Sequence, residues 1–114
     1  MAVRIQGADV RTLLEEIGDA IRSGDIDTWK IDKDGDLTHS PDQWRHKAWF
    51  RPKIKDDELV FNILAPRGKT LTRFVYGVYH GRLIEMLLNH FDTKFKRAFA
   101  SALPERGDII RPLS

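Results

Sequence analysis

The sequence predicts a single α+β domain, an antiparallel meander sheet with an N-terminal and a C-terminal helix packed on one face. Three observations carry that prediction. Residues 9–23 repeat apolar side chains at helical spacing, and residues 81–102 do so again. Between them lie short runs, rich in β-branched and aromatic residues, in which apolar and polar side chains alternate. The turns joining those runs are short and polar, which favours antiparallel neighbours because parallel pairs need crossovers of a dozen residues or more.

The first helix places Val10, Leu13, Leu14, Ile17, Ala20 and Ile21 on one face, with Asp9 as N-cap and Gly24 as the residue that ends it. Residues 26–33 follow as a strand with Trp29 and Ile31 on one side. Asp34-Gly35 predicts a tight hairpin turn with positive φ at both central residues, and residues 36–39 return as a short strand. Ser40-Pro41-Asp42 then breaks the pattern.

Residues 44–55 form the most informative run. Trp44, Ala48, Phe50 and Ile54 fall on one side; Arg45, Lys47, Trp49, Arg51, Lys53 and Lys55 fall on the other. Pro52 has no N–H to donate, so it predicts an edge, a bulge or a register change. Asp56-Asp57-Glu58 turns the chain into a strand over 59–65, and Pro66-Arg67-Gly68-Lys69 turns it again. Residues 70–79 read as a fifth strand, on the strength of Thr, Val, Tyr and Phe; a helix starting near Thr72 is the rival reading. The second helix carries Leu83, Ile84, Leu87, Phe91, Phe95, Ala98, Phe99 and Ala102 as one stripe up to Pro104. The domain therefore spans 1–103, with 104–114 as a tail in which 108–111 could add an edge strand.

At 114 residues the chain suits one hydrophobic core, and 41% hydrophobic content excludes a disordered class. It has no cysteine, so it has neither disulfides nor thiolate metal sites. No apolar run is long enough to span a membrane and no secretory leader is evident, which predicts a cytoplasmic protein. Residues 1–42 hold 5 Lys/Arg and 10 Asp/Glu, whereas 43–114 hold 14 and 7. The modest net charge of +2 thus conceals an acidic first part and a basic remainder.

If the helices cover the Trp29, Phe50 and Phe74 side, the other sheet face displays Arg45, Lys47, Trp49, Arg51, Lys53, Arg73 and Tyr79. With Val60, Leu64 and Val75 beside them, these residues suit contact with a protein partner or a second copy of the chain. The same cations and the indole suit single-stranded nucleic acid, through phosphate neutralisation and base stacking. A third reading places an anion or a small catalytic centre at Tyr79-His80-Gly81-Arg82, where a strand-to-helix junction would offer free N–H groups, His80 and Arg82.

No cofactor motif, HExxH or HxH pair is present. Glu85 and His90 lie five residues apart and do not share a helical face with metal-ligand spacing. Asp32-Lys33-Asp34-Gly35-Asp36 misses the calcium-loop register, since Gly35 is fourth from Asp32 rather than sixth. No serine lies in GxSxG, so no catalytic residue is assigned. The expected function is that of a non-enzymatic binding domain.

Overall fold

The computed structural model describes residues 2–112. Its elements are β1 (Ala2–Gln6), α1 (Val10–Ser23), β2 (Trp29–Ile31), β3 (Leu37–His39), β4 (Trp49–Lys55), β5 (Glu58–Leu64), α2 (Arg73–Phe91) and β6 (Arg97–Ala100). The strands form one antiparallel sheet in the order β2-β3-β4-β5-β1-β6. The α+β class and the consecutive β2–β5 meander match expectation. The element order, β-α-β-β-β-β-α-β, does not.

Helix α1 begins and ends where its caps predict. The Asp9 carboxylate accepts from the Thr12 N–H, and Gly24 takes φ of 90°, a conformation other residues adopt at a cost. Its buried face is Leu13, Ile17 and Ile21. These side chains join Tyr79, Leu83, Met86, Leu87 and Phe91 of α2 in one cluster with Val3, Ile5, Trp29, Leu37, Phe50, Leu59, Phe61 and Ile63 of the sheet. The strand residues in that cluster are cross-strand partners or lie two apart, so they occupy one sheet face. Each large side chain fully buried there contributes ~1.5–3 kcal/mol relative to exposure.

Four segments depart from expectation. Residues 73–79 are helix, not strand: Thr72 Oγ1 accepts from the Val75 N–H at 3.1 Å, and the face 79-83-86-87-91 fills the core. Gly77 is exposed on that helix, and its penalty of ~1 kcal/mol relative to Ala is small beside such burial. The predicted long helix stops at Phe91. Beyond it, Ala98 faces Ile5 and Ala100 faces Val3, so the apolar spacing that mimicked a helix is that of a strand on the outer edge of β1. The N-terminal residues alternate Val3 and Ile5 inward with Arg4 and Gln6 outward; this short strand was not anticipated. Strand β4 starts at Trp49, because residues 41–47 form turns.

Two turns exchange character. In the loop 32–36 only Gly35 has positive φ (83°), and the Asp32 carboxylate accepts from the N–H groups of Asp34 and Asp36 at 2.9 and 3.0 Å. The tight two-residue hairpin with both φ values positive falls instead at Asp56 (52°) and Asp57 (63°). Pro52 sits where β4 has run past its single pairing with β3, Leu37 to Phe50, so no ladder bond is lost there.

The C-terminal segment is part of the packed structure. Glu105 accepts from Arg4 Nε at 2.9 Å, and Asp108 Oδ1 accepts from the Asn62 side-chain amide at 2.8 Å. Ile109 bridges Leu64 in parallel, where β5 runs beyond the first residue of β1. That agrees with an edge strand near 108–111, though only as one bridge.

Candidate functional site

The sheet face opposite the helices is not continuously open. Residues 101–110 lie across its β1–β5 half, through Ser101 on Ala2, Glu105 on Arg4, and the Arg106 carbonyl on Asn62 and Lys53. Val60 and Asn62 are buried as a result. The predicted basic residues therefore separate by environment. Arg51 donates to both carboxylate oxygens of Asp36, at 3.0 and 2.8 Å, and Asp36 is buried. Arg51 thereby braces the 32–36 loop against β4 while 55% of its side chain stays exposed. Lys53 reaches the Arg106 carbonyl at 3.3 Å. Arg45 meets Asp42 at 3.3 Å with both side chains mostly exposed, a weak pair. Lys47 has no carboxylate within 4.0 Å among the described residues. Arg73 belongs to the first turn of α2, not to the sheet.

Trp49 is half-buried and stacks on His46, with ring centroids 5.9 Å apart and planes 11° from parallel. His46 holds a positive φ of 61°, and its N–H donates to Thr38 Oγ1 at 3.2 Å. That anchored backbone turns the imidazole onto the indole.

His46 of this pair also lines one of two adjoining grooves; Trp49 lines neither. One, of about 320 Å³, is lined by Arg45, His46, Lys47, Lys69 and the 70–72 segment. The other, of about 480 Å³, includes Arg51, Arg67, Lys69 and Arg111. Pro66 and Lys69 belong to both, and neither lining contains a carboxylate. The loop that carries Arg67 and Lys69 is held from both ends by the tail. Ala65 N–H donates to the Ile109 carbonyl at 2.6 Å and Leu71 N–H to the Ile110 carbonyl at 2.7 Å. Gly68, at φ 76°, allows the tight turn between Arg67 and Lys69. Arg67, Lys69 and Arg111 were not among the residues singled out from sequence, where 66–69 reads only as a turn.

The Tyr79–Arg82 junction does not exist as such. These residues lie inside α2, whose N-terminus is at Arg73, so they offer no unpaired helix-start N–H groups. Tyr79 is fully buried; its hydroxyl donates to the Trp44 carbonyl and meets Thr38 Oγ1 at 3.1 Å. Burial raises the Tyr79 pKa above its ordinary value, against the pull of the Thr38 hydrogen bond. His80 is buried, with Nδ1 at 2.6 Å from the Tyr76 carbonyl. Arg82 points elsewhere, bonding Glu85 at 3.1 Å.

Arg82 and Glu85 instead border a cavity of about 420 Å³ with Asn89, His90, Asp25, Asp27, Trp44 and His39. His39 was not expected to matter. It is 5% exposed, its ring lies 4.8 Å from Trp29 and 6.0 Å from Tyr79, and its Nδ1 has no hydrogen-bond partner. Burial lowers its pKa below the ordinary imidazole value, and the Arg82 charge adds to this; the Thr28 carbonyl and Glu85 oppose it. The unfolded chain therefore binds this proton at higher pH than the folded one. Stability from the neutral ring is full above about pH 6.5 and is lost as pH falls through that value toward the folded pKa. The urea midpoint is expected to drop between pH 7.5 and 5.5, and His39→Gln to flatten that drop.

Asp32, Asp34 and Asp36 bring carboxylate oxygens within 4.8 Å of one another. Asp36 is engaged by Arg51 and Asp32 by two backbone N–H groups, which already satisfies much of the cluster. No protein-family model, curated protein or solved structure matches the chain. No described helix is long and apolar enough to cross a membrane.

Proposed function

We propose that this protein is a non-enzymatic binding domain for single-stranded nucleic acid, held along the two adjoining basic grooves, one of which is lined by His46 of the Trp49–His46 stack. The observation that carries this reading is the absence of any carboxylate from both linings, while Lys47, Arg67, Lys69 and Arg111 have no carboxylate within 4.0 Å among the described residues. Cations packed together without counter-charges repel one another, and a phosphate backbone relieves that repulsion while releasing its own counterions. The half-buried Trp49–His46 stack offers an aromatic surface for an unpaired base. A cytoplasmic location suits such a partner.

Contact with a protein or a second copy by the same face is supported less. Its apolar members Val60 and Leu64 are buried or paired with the tail; of the large exposed apolar residues, Phe74 and Leu88 are on α2, Leu103 is in the tail, and Phe99 shares the sheet face but sits on β6, three strands from β4.

Fluorescence anisotropy with a labelled mixed-sequence single-stranded oligonucleotide, at stepped salt, tests the proposal. Four cations engaging phosphates predict a slope of log K against log salt of roughly −3, at ~0.7 per contact. A salt-insensitive dimer by light scattering, with no oligonucleotide binding, would give the face to a protein contact instead.

A further inference from the structure

The 420 Å³ cavity beside His39 shares no lining residue with the basic grooves, and its charge has the opposite sign. Its floor consists of Ile26, Trp29, Met86 and His39, all buried. Pro41 and the half-buried Trp44 form one wall, and Trp44 is fixed edge-on against Phe74 at 5.3 Å. The exposed mouth carries Asp25, Asp27 and Glu85 against Arg82, with His90 beside them, so with a neutral imidazole three carboxylates less one guanidinium leave two negative charges. Arg82 is already engaged by Glu85.

We infer that this cavity binds a small organic cation, a protonated primary amine on an aromatic or apolar body. The body lies along Met86, Pro41 and Trp44, and the ammonium sits among Asp25, Asp27 and Glu85 at the mouth. Three features select this class. An anion would meet a net negative mouth. A metal ion needs ligands close enough to share it. Among the described residues the one such trio is Asp32, Asp34 and Asp36, away from this cavity. An organic ammonium instead accepts spaced carboxylates together with an aromatic wall. The buried His39 ring also lines the cavity, so a bound aromatic body is in reach of its environment.

Phenethylamine is a suitable probe, with 2-phenylethanol and phenylacetate as neutral and anionic counterparts. Titrating the full chain by two-dimensional NMR is expected to give saturable shifts at Thr28, His39, Arg82 and Glu85 with the amine. The alcohol and the acid should bind at least tenfold more weakly. The double variant Asp27→Asn, Glu85→Gln alters only exposed side chains and should weaken the amine about tenfold while leaving the circular dichroism spectrum unchanged. Equal binding of the alcohol, tighter binding of the acid, or no saturable shift with any probe would overturn the inference. None of these outcomes depends on the nucleic-acid reading, which the oligonucleotide titration decides separately.

Discussion

Reversing Lys47, Arg67, Lys69 and Arg111 to glutamate together is expected to weaken oligonucleotide binding about a thousandfold at 50 mM salt. The size follows from the salt dependence. A slope of roughly −3, taken from 1 M to 50 mM salt, is an electrostatic contribution of between three and four powers of ten. Glutamate at those positions removes it and adds repulsion. Folding should be nearly unaffected, within ~0.5 kcal/mol, because all four side chains are exposed and none is paired with a carboxylate among the described residues. The control is a chain with the same change in net charge placed elsewhere, Arg11→Glu, Lys30→Glu, Lys33→Glu and Lys55→Glu. These residues are exposed and outside both groove linings. If the control loses as much affinity as the groove variant, net charge rather than the grooves governs binding, and the proposed site fails. The salt slope of the groove variant should fall toward zero, whereas the control should keep most of it.

These four residues also show why only part of the site is legible in the sequence. Lys47, Trp49, Arg51 and Lys53 share a side by simple alternation, and the structure keeps Trp49, Arg51 and Lys53 on that side of β4. Alternation says nothing about what covers a face. The Arg106 carbonyl on Lys53 and Asp36 against Arg51 come from segments 53 and 15 residues away in the chain, and they change two apparent free cations into structural contacts. Arg67 and Arg111 line one groove because the tail pairs with residues 65 and 71, a long-range contact with no local pattern. The fold divides the same way. Caps at Asp9 and Gly24 are local chemistry, so α1 is read correctly. Residues 73–79 favour a strand by composition, yet the burial of Tyr79 and Leu83 overrides that weak preference. Residues 95–102 fit both a helical and an alternating pattern, and the unfilled edge of β1 decides between them.

Adjacent residues on β4 allow a decisive test of which side does what. Phe50 is fully buried among Trp29, Phe61, Tyr79 and His80, with ring centroids 5.2–6.3 Å away. Phe50→Ala removes those contacts and leaves a cavity that a sheet strand held by β5 cannot readily close, so a loss of ~3–5 kcal/mol is expected. That is a large fraction of the ~5–15 kcal/mol typical of a domain, and the urea midpoint should fall accordingly. Trp49→Ala, one residue earlier, removes a half-buried indole whose ring partner is His46. It should lower stability by only about 1 kcal/mol but cost oligonucleotide affinity by ~1–3 kcal/mol, the range for one lost base stack. The two measurements, urea unfolding and anisotropy, should therefore exchange rank between the two variants. A Trp49→Ala chain that unfolds as early as Phe50→Ala and binds normally would place the indole in the core, and it would leave the grooves without their aromatic partner. The expected crossing instead assigns Trp49 to recognition and Phe50 to the fold, two roles that the alternation of side chains along β4 keeps on opposite sides of the sheet.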